Sequence, residues 1–223
     1  YLEPLKVLPL ERIRRKVIAD LLKKIKSTAT RQRVRGLLHQ IFVEAVDQEL
    51  IRSNIVRDVK PVKHVKKPVE IFNNEEIQAI QKQLKGHRYR PPIELMLEVG
   101  TRPGETYALK WYDLIEGQLR IERTVSLNKH GHMRVSDMPK TEAGRRLIPL
   151  STRMQELLLE HRKVLLSEGR AGKQDWMFQT VTGQMIGNRF RGQILIKLLK
   201  DAGVPYRKPH TFRHNAASAM LNG

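Results

Sequence analysis

The sequence predicts a mainly helical protein of two domains, the second of which is of the α+β type and contains a small three-stranded antiparallel sheet. Apolar residues recur at helical spacing over most of the chain, and the region between residues 119 and 150 instead shows the alternation of strands. A Lys-, Val- and Pro-rich segment at residues 59–68 has no periodicity and predicts a linker. The length of 223 residues and the hydrophobic content of 40% suffice for one or two folded domains.

Two helices are predicted before the linker. Apolar residues at helical spacing predict the first over residues 10–26, and hydroxyl N-caps between Ser27 and Thr30 begin a second that extends to about Leu50. Arg31 and Arg35 lie one turn apart on the polar face of the second helix, where they either follow a row of phosphates or remain solvated.

Six helices and three strands are predicted after the linker. Asn73 and Glu76 form a capping box at the first of these helices, and Pro91 with Pro92 opens the next. The other helices are expected to begin near Pro103, Ser151, Asn188 and His210, and the strands to occupy residues 119–125, 133–138 and 146–150.

The charge of the chain indicates a polyanionic partner. The formal net charge is +19, from 42 Lys and Arg residues against 23 Asp and Glu residues. Residues 1–67 contain 17 basic and 7 acidic residues, a net charge of +10, whereas residues 68–223 contain 25 and 16, a net charge of +9 on more than twice the length. Nucleic acid is the favoured partner, and a merely basic surface is the alternative.

Several residue types and motifs are absent from the sequence, and their absence excludes some classes of site and partner. The absence of cysteine excludes disulfides, thiolate nucleophiles and Cys-based zinc sites, and it fits a reducing cytoplasm. No apolar run approaches the length of a membrane span, so no membrane partner is expected. No glycine-rich phosphate loop or carboxylate cluster is present, and His130 and His132 lie in a predicted turn without a convincing third ligand. The sequence therefore predicts neither a cofactor nor a metal.

Three separated motifs contain residues suited to metal-free phosphoryl transfer. Arg102 lies at a helix start, Lys140 lies in a turn between strands, and His210 and Arg213 are three residues apart on the last helix. Cleaving a phosphodiester requires stabilisation of negative charge on the nonbridging oxygens and a proton for the leaving 5′-oxygen. Guanidinium forks match phosphate oxygens, and a Lys or His can act as the general acid.

These residues and their order resemble the tyrosine recombinases, the phage-integrase family. The resemblance rests on Gly100-Thr101-Arg102-Pro103-Gly104-Glu105, on Pro139-Lys140-Thr141 followed by Gly144-Arg145-Arg146, and on Pro209-His210-Thr211-Phe212-Arg213-His214. It implies that Arg102, Lys140, His210 and Arg213 are catalytic and that Lys140 protonates the leaving oxygen. It also implies that Glu105 helps to order Arg102 and that His214 is a structural partner, which we interpret as a buried hydrogen-bonding residue.

The resemblance further implies an architecture and a set of partners. Residues 1–66 correspond to a partial, helical core-binding domain and residues 67–223 to a catalytic domain, which together clamp double-stranded DNA. Four protomers are expected in the synapse, with accessory DNA-bending or directionality proteins as further partners. Additional DNA contacts are predicted for Arg31, Arg35, Lys60, Lys63, Lys66, Lys67 and Arg145.

The implied activity is site-specific recombination for a phage or other mobile element, through a 3′-phosphotyrosine intermediate. The nucleophilic Tyr is not in this sequence, because none of its five tyrosines follows the His-x-x-Arg box; Tyr206, which precedes the box, is interpreted as a packing residue. We therefore expect a truncated sequence that is inactive without the Tyr segment, or one whose tail is mobile. The alternatives are a non-catalytic DNA-binding homologue with a decayed active site and a type IB topoisomerase, which uses the same residues on one duplex.

Overall fold

The fold is seen in a computed structural model, which describes residues 2–61, 68, 70–128, 130, 132–137, 145–187 and 190–222. The chain divides into two compact units, residues 1–68 and 69–223. The helices are α1 (Glu3–Lys6), α2 (Arg15–Lys23), α3 (Thr28–Asp47), α4 (Asn74–Gln83), α5 (Arg90–Glu98), α6 (Pro103–Tyr107), α7 (Thr152–Ser167), α8 (Leu195–Asp201) and α9 (His210–Asn222). The strands are β1 (Leu114–Ile115), β2 (Gln118–Ile121), β3 (Thr124–Leu127), β4 (Met133–Ser136) and β5 (Arg146–Pro149). The predicted fold class, mainly helical with a small antiparallel sheet, is confirmed.

The first unit is built on α2 and α3. The helix predicted over residues 10–26 is interrupted, because Ile13 and Arg14 are extended and separate a 3₁₀ turn at Leu10–Arg12 from α2. The predicted cap of the next helix is confirmed, since the Ser27 hydroxyl accepts a hydrogen bond of 3.3 Å from the Thr30 N–H. The buried side chains of this unit include Ile18, Leu22, Ile25, Leu38 and Phe42.

Capping residues set the helix starts of the second unit. The predicted capping box is present: the Asn73 side chain accepts from the Glu76 N–H at 2.8 Å, and the Glu76 carboxylate accepts from the Asn73 N–H at 2.9 Å. Ser151 caps α7 by accepting from the Met154 N–H at 3.2 Å. In the part of the chain that is described, no helix is long and apolar enough to span a bilayer.

The strands of the second unit form two antiparallel sheets, which differs in detail from the prediction. The strand predicted over residues 119–125 is divided into β2 and β3 at Glu122 and Arg123. The division has a physical reason, since the Arg123 guanidinium donates to the fully buried carboxylate of Asp113. The three-stranded sheet has the order β1-β2-β5, and residues 133–136 pair with β3 in a separate two-stranded sheet.

Helix α9 is tied to the segment that precedes α4. The Phe72 ring stacks on Phe212 with centroids 5.1 Å apart, and the Arg207 guanidinium lies over Phe72 at 4.8 Å from its centroid. The Asn215 side chain accepts from the Phe72 N–H at 3.0 Å and donates to the Phe72 carbonyl at 2.6 Å. This end of the core therefore fixes the helix that carries His210 and Arg213.

Candidate active site

Gly100 and Arg102 form the turn between α5 and α6. Gly100 has a φ of +68°, the left-handed conformation that glycine adopts without strain, and it ends α5. Arg102 is the N-cap of α6, and the carboxylate of Glu105 accepts a hydrogen bond from its N–H at 2.9 Å. The Arg102 Nη1 donates to the same carboxylate at 2.8 Å. Glu105 thus holds both the backbone and the guanidinium of Arg102.

A second arginine, Arg146 at the start of β5, shares this carboxylate. Its Nη2 donates to Glu105 Oε2 at 2.8 Å and its Nη1 to Oε1 at 3.3 Å. The Glu105 side chain is only 6% exposed. Burial alone would raise the pKa of Glu105, but the hydrogen bonds from Arg146 and Arg102 outweigh burial and hold that pKa below its usual range. The carboxylate is therefore ionised at neutral pH.

Arg213 on α9 meets the same turn. Its Nη1 donates to the main-chain carbonyl of Gly100, and a Cβ built on Gly100 would lie 3.3 Å from the Cβ of Ala216. Burial lowers the pKa of Arg213, the positive charges of Arg102 and Arg146 lower it further, and Glu105 opposes them. Positive charges in one neighbourhood repel one another, and this repulsion favours the binding of an anion beside them.

His210, one turn before Arg213, lies in the same positive field. Its imidazole is exposed at the surface, yet partial burial lowers the pKa, and the charges of His214, Arg213, Arg102 and Arg191 lower it further. An imidazole whose pKa lies below its ordinary value of about 6.5 is mostly neutral at pH 7. It then carries one N–H donor and one acceptor nitrogen.

A cavity of about 210 Å³ opens beside His210. Its lining combines apolar walls with basic side chains, and includes Pro103, Tyr107, Leu127, Arg191, Lys208 and His210. Gly104 forms part of one wall, where α6 approaches β3 so closely that a Cβ would lie 2.6 Å from the Val125 carbonyl oxygen. Burial strongly raises the pKa of Tyr107, so this tyrosine stays protonated. Among the residues that the structure describes, no three His, Asp or Glu side chains are grouped to hold a metal ion.

The structure brings three of the four predicted catalytic residues, Arg102, His210 and Arg213, into one charged neighbourhood. Lys140, Lys63, Lys66 and Lys67 lie outside the described residues. Lys60 and Arg145 are described and exposed. Their predicted contacts with DNA stay predictions.

Two arginines of the first unit have structural partners. Arg31 donates to the Ile25 carbonyl at 2.7 and 3.2 Å, and Arg35 donates to the carbonyls of Val59 and Val56 at 2.9 and 3.2 Å. Both guanidiniums therefore hold the ends of neighbouring segments rather than standing in solvent. That they also contact DNA stays a prediction.

Two interpretations of aromatic side chains near the box are wrong. His214 was expected to be buried, but it is exposed, and the buried hydrogen-bonding residue is its neighbour Asn215. Tyr206 is 46% exposed and not a packing residue. The helical phase explains the first error, because Phe212, Asn215 and Ala216 form the inward face of α9.

Arg146 and Arg191 also belong to the site, although neither is among the residues predicted from the sequence. For Arg146 a signal was available, because strand alternation puts it on the face of the half-buried Ile148, whereas Leu147 is exposed. Arg191 lies in a π turn at Phe190–Ile194, where a helical residue was expected, and no periodicity in the sequence indicates its direction.

The second unit matches the sequence model of a known protein family. The sequence model of the phage integrase family matches residues 70–223, which is more than half of the chain. The chain belongs to the phage integrase family. It is 30% identical over 219 residues to a XerC-like tyrosine recombinase of Caldanaerobacter subterraneus subsp. tengcongensis, covering 88% of this chain and 56% of the relative. It is 26% identical over 250 residues to an integrase of Saccharopolyspora erythraea, covering 86% and 57%. The chain thus spans little more than half the length of these two relatives.

Solved structures of integrases share the fold of this family member. A lambda integrase dimer bound to a COC′ core site matches with a TM-score of 0.65 and 21% identity, over 94% of this chain and 74% of the other. The Tn1549 transposon integrase in complex with a circular intermediate DNA matches with a TM-score of 0.76 and 17% identity, over 96% and 74%. At these identities the likeness establishes the fold alone.

Proposed function

We propose that this integrase-family chain is part of a site-specific DNA recombinase that serves a phage or another mobile element. A tyrosine that this sequence does not contain attacks the scissile phosphate, which gives a 3′-phosphotyrosine and a free 5′-hydroxyl. The 5′-hydroxyl of the partner strand then attacks the phosphotyrosine and rejoins the DNA. One phosphodiester is exchanged for another through a covalent intermediate, so the reaction consumes no ATP.

The observation that carries this proposal is the cluster of Arg102, Arg213 and His210 around the Gly100 turn. Two guanidiniums that repel each other stabilise an anion between them, and a phosphate gains charge on its nonbridging oxygens as it is attacked. Burial lowers the pKa of Arg213, and the positive charges of Arg102 and Arg146 lower it further, as expected of guanidiniums that repel each other. The site is therefore suited to a phosphate whose charge increases in the transition state.

His210 and Lys140 receive different roles in this proposal. His210 is mostly neutral at pH 7, because burial and its positive neighbours lower its pKa. It can donate a hydrogen bond to the phosphate or accept the proton of the attacking tyrosine. Lys140, by the resemblance to the family, protonates the leaving 5′-oxygen.

Each unit of the chain would contribute to binding double-stranded DNA. We propose that residues 1–66 are a partial core-binding domain and that residues 67–223 are the catalytic domain without its Tyr segment. The net charge of +10 on residues 1–67 supports a phosphate-contacting role for the first unit. A lambda integrase tetramer bound to a Holliday junction is among the structural relatives, which supports four protomers in the synapse.

Covalent capture on a suicide DNA substrate tests the function. The full-length protein is incubated with a nicked duplex from which the cleaved fragment diffuses away, so that cleaved protein–DNA adducts accumulate. We expect an adduct through a tyrosine that follows His214, and Arg213→Ala should slow its formation roughly 10²–10³-fold, as for other removed oxyanion donors. Arg88→Ala is the matched control, because it also removes one guanidinium but one that pairs with Glu168.

The outcomes separate the alternatives. Specific DNA binding without any adduct would contradict the proposal and support a non-catalytic DNA-binding protein. A protein that forms the adduct and relaxes supercoiled DNA, but does not join strands from two sites, would be a type IB topoisomerase. An Arg213→Ala protein that forms adduct at the rate of the unchanged protein would refute the proposed role of the cluster.

A further inference from the structure

The Glu105 carboxylate is shared by two guanidiniums of different character. Arg102 is 54% exposed and can reach a ligand, whereas Arg146 is 28% exposed and lies at the start of β5. Glu105 Oε1 accepts from Nη1 of each arginine, and Oε2 accepts from the Arg102 N–H and from Arg146 Nη2. Among the residues that the structure describes, the buried carboxylate therefore receives four hydrogen bonds, two of them from Arg146.

We propose that Arg146 is a positioning residue that orients Arg102 through the carboxylate of Glu105. The proposal rests on the proposed function, because it assigns Arg146 to the preparation of a guanidinium that binds the scissile phosphate. Arg146 does not itself need to touch the DNA for this role.

The geometry explains how the orientation is transmitted. The terminal torsion of a glutamate is soft, so a carboxylate held at one oxygen can rotate about its last bond. Arg146 contacts both oxygens at once, and a planar fork of this kind fixes the plane of the carboxylate as well as its position. The fixed Oε1 in turn holds the Arg102 Nη1 at 2.8 Å. Without Arg146 the carboxylate would still accept from the Arg102 N–H at Oε2, but its plane could rotate together with the exposed Arg102 side chain.

The electrostatics of the neighbourhood agree with this arrangement. Arg146 is the largest of the contributions that keep the buried Glu105 ionised against the effect of burial. The positive charge of Arg146 also contributes to lowering the pKa of Arg213 on α9, so Arg146 affects the electrostatics of both arginines. Removing Arg146 would thus weaken the anchor of Arg102 and alter the field around Arg213.

The first measurement follows Arg102 directly and needs no activity. In the free full-length protein, ¹⁵N relaxation of the arginine Nε–Hε groups reports how ordered each guanidinium is. We expect the Arg102 group to be ordered in the unchanged protein and to become mobile in Arg146→Met. Arg88→Met is the matched control, because Arg88 forms its own two-bond pair with Glu168, at 2.8 and 2.5 Å, and should leave Arg102 ordered. An Arg102 group that stays equally ordered in Arg146→Met overturns the proposal.

The second measurement asks whether Arg146 acts through Arg102. Single-turnover adduct formation is compared for Arg146→Met, Arg102→Ala and the double variant, with DNA affinity measured in parallel. We expect Arg146→Met to slow cleavage about 10- to 100-fold with little loss of DNA affinity, because a misplaced catalytic group costs rate on this scale. In the Arg102→Ala background the same change should cost less than about 2-fold, since residues that act as one unit are non-additive. Full additivity would show that Arg146 acts on the DNA or on the fold independently, and would overturn the proposal.

Failure of the positioning role and failure of the recombinase assignment give different results. If the unchanged protein forms no adduct, the proposed function is wrong, and the relaxation measurement alone decides whether Arg146 orders Arg102. Where Arg146→Met does not fold, Arg146→Lys replaces it. The lysine keeps the positive charge but not the planar fork, so Arg102 should again lose order although Glu105 remains ionised.

Discussion

Truncation of Asn215 to alanine is expected to destabilise the second unit strongly. Asn215 is 8% exposed and Phe72 is 2% exposed, so their two hydrogen bonds are shielded from water. Alanine would leave the N–H and the carbonyl of Phe72 buried without these partners. An unsatisfied buried group costs about 1–3 kcal/mol, so we expect Asn215→Ala to lower the free energy of unfolding by about 2–4 kcal/mol.

Urea unfolding followed by tryptophan fluorescence measures this loss selectively. The two tryptophans of the chain, Trp111 and Trp176, both belong to the second unit, so their signal reports the unit that contains α9. His214→Ala is the matched control, because it truncates the exposed neighbour and should change stability by less than about 0.5 kcal/mol. Equal stabilities of the Asn215→Ala and His214→Ala proteins would refute the reasoning that α9 is anchored through Phe72.

Three further perturbations have defined outcomes. In an NMR titration of the free protein the imidazole of His210 should titrate below about 6.5, and Arg191→Met should move its pKa upward by removing a positive neighbour; a pKa unchanged by Arg191→Met would contradict the electrostatic account. The Glu105→Gln protein should be less stable than the unchanged protein by about 1–3 kcal/mol at pH 7. Because the folded-state pKa of Glu105 is lowered, this difference is fully present above the ordinary pKa of a glutamate and should shrink as urea-unfolding measurements are taken to lower pH, through the folded-state value. A stability difference between the two proteins that grows toward low pH would contradict the lowered pKa of Glu105. Gly104→Ala would bring a Cβ to 2.6 Å from a β3 carbonyl oxygen and should lower the thermal unfolding temperature, with a cost of about 1–3 kcal/mol, whereas Gly36→Ala, a helix position with no atom within 4 Å, should be neutral or slightly stabilising; equal effects would count against the close approach of α6 to β3.

Local signals in the sequence predicted most helix starts. The capping pair of Asn73 and Glu76 and the hydroxyl of Ser151 were identified from residue type and spacing alone, because a cap is satisfied by residues within one turn. The helix break at Ile13 was missed, since its side chain is buried like those on the stripe of α2 and apolar periodicity does not reveal an extended backbone.

Contacts between distant segments were harder to predict. Leu119, Ile121 and Val125 alternate as in one strand, and Arg123 is the only break in their pattern. The contact of Arg123 with the buried Asp113, which lies outside this pattern, explains why the strand divides there. Similarly, the direction of His214 depends on which face of α9 meets the core, and that is set by Phe72, more than 130 residues earlier in the chain.

In the candidate site, too, residues with a local signal were predicted and residues whose role depends on distant contacts were not. Arg102, His210 and Arg213 were selected by residue type and motif, whereas their proximity depends on tertiary packing of α9 against the Gly100 turn, including the hydrogen bond from Arg213 to the Gly100 carbonyl. Arg146 was not predicted because its role depends on hydrogen bonds to the carboxylate of Glu105, 41 positions earlier in the chain. Arg191 depends on a π turn that helical spacing does not predict.

The most direct test of the central claim is a structure of the full-length protein bound to a duplex with an intact scissile phosphate. The account predicts that nitrogen atoms of Arg102 and Arg213 lie about 2.7–3.2 Å from nonbridging oxygens of the same phosphate, the range of ordinary hydrogen bonds, with His210 in contact with that phosphate. Arg102 and Arg213 bound to different phosphates, or turned away from the DNA, would contradict it.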